Sequence, residues 1–126
     1  MKAETADYLA SAHRHLGYAP RNLSPETAPV AAREAYMAAF HAAQAPIFER
    51  TGKPAKTHNG AQSRFHELVR HEPRFPDAPR AFLLSGFALK SSADYSATEA
   101  PTLDQARAAT EKAEAFVRHV EVLLAR

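Results

Sequence analysis

The sequence predicts an all-α protein, an antiparallel up-and-down bundle of four to five helices in a single domain over residues 1–126. Three observations favour this fold class. Alanine, the strongest helix former, is abundant. The chain has only 4 Gly, and its 9 Pro fall between apolar segments more often than within them, which suits helices separated by short connections. No stretch alternates apolar and polar residues as a half-buried strand does.

The first two helices are predicted from period and punctuation. The first covers about residues 2–18, with one face formed by Ala6, Leu9, His13 and Leu16. Thr27 is expected to cap the second, with Pro29 in its first turn. Pro46 should kink the second helix or end its regular part, because proline lacks the backbone N–H and clashes with the preceding turn. The apolar face of this helix comprises Val30, Tyr36, Met37, Phe40, Ala43 and Ile47.

The third helix is predicted to begin around residues 57–59. Thr57 and Asn59 are both good caps, and Asn59 with Gln62 has the spacing of a capping box. Either residue satisfies the pattern, so the sequence leaves the choice open. The core residues of this helix are Phe65, Leu68 and Val69.

Two further helices complete the bundle. Asp77 can cap the fourth, with Pro79 in its first turn. Thr102 and Gln105 form a capping box before the fifth. The fourth helix has two adjacent faces, one with Leu84, Ala88, Ser91 and Tyr95, the other with Leu83, Phe87, Lys90 and Asp94. The apolar positions of the fifth are Ala106, Ala109, Ala113, Phe116, Val120 and Leu123.

Composition excludes several chemistries. Without Cys the chain forms no disulfide, no thiolate zinc site and no thiol nucleophile. It has no His-Glu-x-x-His, no Walker phosphate loop and no dinucleotide glycine fingerprint. Seven His are present, but the pairs His13/His15 and His66/His71 lack a carboxylate at ligand spacing. We therefore expect neither a metal site nor a cofactor.

The sequence also indicates where the protein acts. The amino-terminal segment is too polar for a signal peptide, and no run approaches the roughly 20 apolar residues that span a bilayer. We expect a soluble, cytoplasmic protein with no membrane association. The net charge of +2, with His counted as neutral, permits nucleic-acid contact without arguing for it.

A polar loop before the third helix is the first candidate site. Lys56, Thr57, His58 and Asn59 stand in four consecutive positions. Backbone N–H groups at a helix N-terminus favour anions, and a lysine adds a positive charge there. The alternative is structural: Thr57 or Asn59 caps the helix, and His58 packs against a neighbouring helix.

Two further sets of polar residues lie on helices. His41, in an alanine-rich segment, is either a core residue with one hydrogen bond or projects toward His58 if the second and third helices pair as a hairpin. Lys90 and Asp94 are four residues apart and continue an apolar stripe. They form either a partly buried pair, a subunit interface, or an exposed ion pair worth a few tenths of a kcal/mol. Tyr95 follows directly.

Four segments together resemble the HEPN domain superfamily, most closely its small stand-alone bacterial and archaeal members. In order they are AREAYMAAFHAAQA, GKPAKTHNGAQSRF, AFLLSGFALKSSADY and ATEKAEAFVRHVEVLL. The family pattern is a Tyr-rich helix ending in Phe-His-Ala-Ala, a Lys-Thr-His-x-Gly loop and a helix ending in Arg-x-x-x-Asp-Tyr. The resemblance covers about residues 30–124. It implies an all-α bundle and commonly a homodimer.

The resemblance also implies an activity. Active HEPN toxins are metal-independent endoribonucleases whose Arg-x4-6-His motif is duplicated across the dimer interface. The histidine is the general acid and base, and the arginine holds the scissile phosphate. Many members pair with a minimal nucleotidyltransferase as toxin and antitoxin.

This sequence departs from the motif at Lys90, where the subgroup has arginine, and no histidine follows at the expected place, where Asp94 and Tyr95 stand. A formal Arg-x6-His match at Arg64 and His71 falls on the third helix instead of the fourth.

Three functional hypotheses follow. The first is an RNA-binding or RNA-cleaving HEPN protein of toxin–antitoxin or defence type, acting at a dimer cleft. Its catalytic candidates are Lys90, Asp94, Tyr95 and His58, and its RNA- or nucleotide-binding candidates are Lys56, Thr57, His58, Asn59 and His41. The second is a non-catalytic subunit that binds a nucleotide or a nucleotidyltransferase, with Tyr95 as the residue that such a partner could nucleotidylate. The third is a helical dimerisation module.

Overall fold

A computed structural model describes residues 1–96 and 98–125, and within these ranges the chain forms five α-helices and no strand. The prediction of an all-α bundle is confirmed. The helices are α1 (Ala3–Arg21), α2 (Ala28–Thr51), α3 (His58–Val69), α4 (Asp77–Tyr95) and α5 (Leu103–Leu124). Over the same ranges, none of them is long and apolar enough to cross a membrane.

Helix α2 lies at the centre and contacts each of the other four helices. Much of its buried surface is alanine: Ala31, Ala35, Ala38, Ala39 and Ala42 are all at or near zero exposure, as are several others. Small side chains let neighbouring helices approach closely. Larger residues fill the space between the helices, among them Phe65, Phe82 and Phe116 of α3, α4 and α5, and Phe75 of the connection before α4.

The helix ends agree with the sequence at some points and differ at others. Thr102 and Gln105 form the predicted capping box. Thr57 caps α3, its side chain accepting a hydrogen bond from Gly60 N at 2.9 Å. Asn59 lies inside the first turn of α3 and does not serve as its cap. The choice between the two caps is therefore settled for Thr57, because its extended backbone presents the hydroxyl to the third N–H of the helix.

Two other predicted caps do not act as caps. Thr27 occupies the N-cap position of α2, but its hydroxyl donates to Asn22 O at 2.7 Å in the preceding loop instead of capping the helix. Asp77 is already the first helical residue of α4, and Pro76 takes the N-cap position. Each side chain is displaced by a competing local arrangement: a loop hydrogen bond in one case, the extended backbone of a proline in the other.

Proline is tolerated inside two helices. Pro46 was predicted to kink α2 or to end its regular part, and since the helix continues through it to Thr51, the second alternative is wrong. The helix ends instead at Gly52, whose φ of 75° is the left-handed conformation that glycine adopts without a Cβ penalty. Helix α1 likewise runs on to Arg21 with Pro20 in its last turn, three residues beyond the predicted end.

Helix α4 turns one of its two predicted faces inward and the other outward. Leu83 is buried, and Phe87 is partly buried one turn later. On the adjacent face Leu84 is 68% exposed and Tyr95 83% exposed. Val30 of α2 is also 44% exposed, although its period placed it with the core residues. The molecule thus leaves an outward face on α4 with large apolar side chains at both ends.

A single buried amide fixes the loop before α3. Gln44 of α2 is 3% exposed, accepts a hydrogen bond from Ala55 N at 2.9 Å and donates one to Ala55 O at 2.9 Å. Both polar groups of a buried loop residue are therefore satisfied by one side chain. This contact fixes the segment that leads into Thr57 and His58 to the centre of the bundle.

Candidate functional site

The candidate site is centred on His58, the first residue of α3. Its Nδ1 lies 2.8 Å from the Tyr36 hydroxyl oxygen. The ring centroids of Phe40 and Phe87 lie 4.7 Å and 4.9 Å from that of the imidazole. We call these four residues, Tyr36, Phe40, His58 and Phe87, the aromatic box. They place a half-buried histidine in a defined orientation.

Three helices build the aromatic box. Tyr36 and Phe40 are four residues apart on α2, so they stack along one face of that helix. Phe87 comes from the inward face of α4. His58 enters because the Thr57 cap starts α3 at this point. A side chain at Gly60 would not fit this cap, since an added Cβ would lie 2.9 Å from the Thr57 Oγ1.

A charged cluster adjoins the aromatic box on α4. Lys90 Nζ lies 2.6 Å from Asp94 Oδ2, and Arg33 Nε of α2 lies 3.7 Å from Asp94 Oδ1. The side chains of Lys90 and Asp94 are 14% and 23% exposed. Of the alternatives for this pair, the partly buried one is observed. The Lys90 ammonium also lies 5.9 Å from the centre of the Tyr95 ring.

The charged cluster acts on the aromatic box. Burial lowers the pKa of His58 below its ordinary value of 6.5, and the positive charge of Lys90 lowers it further. Burial raises the pKa of Tyr36 to about 12, although a hydrogen bond with Gln62 opposes the rise. At neutral pH both members of the Tyr36–His58 pair are therefore uncharged. The imidazole is a proton acceptor or a neutral donor, depending on its tautomer.

His41 lies beside the aromatic box, and Phe40 contacts both imidazoles. The Phe40 and His41 centroids are 5.6 Å apart, and His41 stacks on His15 of α1 at 5.1 Å with a 3° interplanar angle. Burial lowers the pKa of His41, with smaller contributions from His15 and Arg14. Its Nδ1 is buried without a hydrogen-bond partner, so it lacks, at this atom, the hydrogen bond expected for a core histidine.

The remaining predicted residues lie at the edge. Lys56, Thr57 and Asn59 are exposed around the start of α3, and Thr57 uses its hydroxyl for the cap. The formal Arg-x6-His match is not part of the site. Arg64 donates to Pro54 O at 3.4 Å and His71 contacts its neighbour Arg70, both at exposed positions.

The histidine and carboxylate side chains were also compared with the pattern of a metal site. In the part of the chain that the structure describes, no three His, Asp or Glu side chains come together as metal ligands would.

A comparison with models of protein families identifies the domain in which these residues lie. The model of the HEPN domain matches residues 5–123, nearly the whole chain. The chain belongs to the HEPN domain family. The match extends the resemblance proposed from the sequence to include α1. A search of curated proteins found no significant match.

Within this HEPN domain, the geometry brings the two sequence motifs together. His58 of the loop motif stacks on Phe87 of α4, and the charge of Lys90, about one turn further along α4, acts on its imidazole. Helix α4 keeps the Asp94-Tyr95 ending of its motif but carries lysine in place of arginine. A lysine keeps the positive charge and loses the planar fork that binds two oxygens at once.

Sequence reasoning missed several residues of this HEPN site. It placed Tyr36 on the apolar face of α2, considered His15 only as a metal ligand together with His13, and did not consider Arg33 or Glu34. Glu34 contacts His15 and lies 3.5 Å from Arg33. The spacing of Arg33, Tyr36 and Phe40 at three and four residues could have indicated that the guanidinium continues the aromatic face of α2. For His15 the sequence carries no such signal, because its role depends on how α1 docks.

Proposed function

We propose that this HEPN protein binds RNA at a cleft between two copies of the chain and cleaves it without a metal ion. The supporting observation is that His58 is oriented by Tyr36 and lies near enough to Lys90 for the ammonium charge to favour its neutral form. A neutral imidazole can act as a general base, and a nearby ammonium can stabilise the charge on a phosphate.

In this mechanism each group has one role. His58 Nδ1–H donates to the Tyr36 oxygen, which leaves Nε2 free to take the proton of the ribose 2′-hydroxyl. The 2′-oxygen then attacks the adjacent phosphorus, the bond to the 5′-oxygen breaks, and the proton passes to that leaving oxygen. The products are a 2′,3′-cyclic phosphate and a 5′-hydroxyl. Lys90 stabilises the negative charge on the phosphate during the attack.

The second copy is proposed to dock on the outward face of α4. HEPN domains commonly dimerise, and this face carries exposed Leu84 and Tyr95 separated by small residues. Docking there would cover the apolar side chains and duplicate the site, with Lys90 of each copy near the interface. The groove between two such sites would suit a flexible single-stranded RNA.

The test is incubation of the purified protein with transfer RNA and total RNA in the presence of a chelator. We expect cleavage products ending in a cyclic phosphate, and loss of cleavage in His58→Ala and Lys90→Ala. Matched controls are His66→Ala and Lys112→Ala, which change the same residue types at exposed positions. Absence of cleavage, or equal cleavage by all variants, would remove this mechanism.

A second function is favoured by a specific observation. Lys90 is already paired with Asp94, and α4 carries no histidine after it in the motif position. Both features suit a non-catalytic HEPN subunit that binds a nucleotide or a nucleotidyltransferase of a toxin–antitoxin pair. Tyr95, at 83% exposure, would be the acceptor, its hydroxyl oxygen attacking the α-phosphorus of a nucleoside triphosphate with release of pyrophosphate.

This alternative predicts a different result. The protein purified from its native host should form a stable heteromer, show no RNA turnover, and carry a nucleotide mass on Tyr95 that is lost in Tyr95→Phe. A chain that self-associates without RNA cleavage, partner or modification would be a helical dimerisation module.

A further inference from the structure

Three charged side chains from two helices converge beside the aromatic box. Lys90 and Asp94 belong to α4 and Arg33 to α2. Each cation engages a different oxygen of the same carboxylate: Lys90 Nζ lies 2.6 Å from Oδ2, and Arg33 Nε lies 3.7 Å from Oδ1. Two cations on different helices thus each contact one oxygen of the same carboxylate.

The same arrangement would suit a phosphate group. A phosphodiester also offers two charged oxygens, and lysine and arginine are its usual partners. The Lys90 side chain is only 14% exposed, so its ammonium is held in place by the protein. The Tyr95 ring lies beside the cluster and is 83% exposed, so it provides a face on which a base could stack.

We propose that Arg33 and Lys90 form the binding site for a backbone phosphate of RNA, and that Asp94 occupies this site in the free protein and is displaced when RNA binds. The inference rests on the proposed function, since it assumes RNA at this cleft. It adds Arg33 to the site and gives Asp94 an inhibitory role.

Arg33 restores what the α4 motif lacks. Lysine at position 90 cannot grip two oxygens at once, whereas a guanidinium from α2 can. Glu34 Oε1 lies 3.5 Å from Arg33 Nη1, so the guanidinium keeps an acidic partner on α2 when Asp94 leaves. Glu34 in turn contacts His15 of α1.

Displacement of Asp94 is physically reasonable. Asp94 lies in the last turn of α4 with its side chain 23% exposed, so water and salt reach the carboxylate and screen part of its attraction to the two cations. A backbone phosphodiester carries the same single negative charge on two oxygens, so it can take the place of the carboxylate when the rest of the RNA adds its own contacts. Rotation of the Asp94 side chain at the C-terminal end of α4 needs no change in the backbone.

The test compares two isosteric substitutions that change the net charge equally. Asp94→Asn removes the internal anion. Asp104→Asn removes the exposed partner of Arg107 on α5, 3.3 Å away. Binding of a short single-stranded RNA is measured by fluorescence anisotropy at several salt concentrations. We expect Asp94→Asn to tighten binding about two- to fivefold and Asp104→Asn to change it much less.

The cations are tested in the same way. Arg33→Gln should weaken RNA binding and abolish the gain from Asp94→Asn, whereas Arg107→Gln should do neither. Titration of the Asp94→Asn protein with inorganic phosphate, followed by the NMR signals of Lys90 and His58, then separates a preference for the polymer from binding of any phosphate. Shifts at these residues with phosphate alone support the anion site, and stronger effects with RNA support the proposed ligand.

Several results would overturn the inference. Equal tightening by the two Asn variants would show an effect of net charge alone. Wild-type affinity in Arg33→Gln would remove Arg33 from the site. These results can be distinguished from failure of the proposed function. If the protein cleaves RNA through His58 but the two Asn variants bind RNA alike, the ribonuclease activity is supported and the inhibitory role of Asp94 is not. If RNA binding responds selectively to Asp94→Asn but no RNA is cleaved, the inhibitory role of Asp94 is supported and the ribonuclease activity is not.

Discussion

The neutral form of His58 is favoured by two features of its surroundings, burial and the nearby charge of Lys90. Burial disfavours the charged imidazolium because it is poorly solvated, and the ammonium of Lys90 disfavours it by repulsion between like charges. Tyr36 then fixes the ring through Nδ1. At the scale of single residues, the site thus combines a histidine of lowered pKa with a lysine that also forms an ion pair with Asp94.

Removing the charge of Lys90 should reverse part of the lowering of the His58 pKa. In Lys90→Met the pKa of His58 is expected to rise toward 6.5 without reaching it, because burial, the larger cause, remains. The measurement is an NMR titration of the imidazole ring. Lys112→Met on α5 is the control and should leave the His58 pKa unchanged. An unaltered pKa in Lys90→Met would show that the ammonium does not act on His58.

Stability should fall on mild acidification. His58 and His41 both have folded-state pKa values below the 6.5 of an unfolded chain, so below that pH the unfolded state binds more protons. Their contribution is present in full above about pH 6.5 and is lost as the pH falls through the folded-state values. Urea unfolding between pH 7.5 and 5.5 should show this slope, reduced in His58→Asn. An identical slope in that variant would exclude His58 as a source.

At the scale of elements, the start of α3 shows how one residue serves both fold and site. The Thr57 cap sets the first turn of the helix, and that turn places His58 in the aromatic box. Gly60 is required because a Cβ there would meet the capping hydroxyl at 2.9 Å. The loop motif Thr-His-x-Gly is thus explained by local geometry as well as by any ligand.

This relation predicts coupling between two substitutions. Thr57→Ala should cost about 1 kcal/mol by loss of the cap. Gly60→Ala should also destabilise the wild type, although alanine is the better helix former. In the Thr57→Ala background, where the clash is gone, Gly60→Ala should be neutral or stabilising. A double-mutant cycle by chemical denaturation measures the difference, and strictly additive effects would contradict the clash.

The sequence predicted elements better than their ends or their outward faces. Helical period and the capping box at Thr102 sufficed to place α5. Periodicity could not decide which face of α4 points outward, because Leu84 and Leu83 are equally apolar and only the docking of α4 against α2 distinguishes them. Pro46 does not end α2, because the packing of a helix that is buried on most sides can offset the loss of one backbone hydrogen bond.

At the scale of the whole molecule, the alanine-rich surface of α2 sets the distances within the bundle. Every other helix contacts α2, so the aromatic box and the charged cluster both depend on how closely α4 and α3 approach it. The family and the bundle were predictable, because composition and four sequence segments carry them. Of the candidate site, His58, Lys90 and Asp94 were named from the sequence, whereas the positions of Arg33 and His15 depend on packing between helices distant in sequence.

Enlarging an alanine at this centre should be costly. Ala39 is fully buried, and Ala39→Leu is expected to destabilise the protein by about 1–3 kcal/mol through overpacking. Ala10→Leu makes the same change at an exposed position of α1 and should be nearly neutral. Denaturant midpoints measure both. Equal effects would show that close packing around α2 does not limit side-chain size.

The amide of Gln44 has a consequence for the exchange of backbone hydrogens with solvent. Ala55 lies in a loop, where amides usually exchange quickly, yet its N–H is bonded to a side chain buried in α2. Its deuterium uptake should therefore be as slow as that of helical amides and should report the opening of the bundle itself. In Gln44→Ala this protection should disappear at Ala55. If Ala55 exchanged quickly in the unsubstituted protein, the loop would move independently of α2.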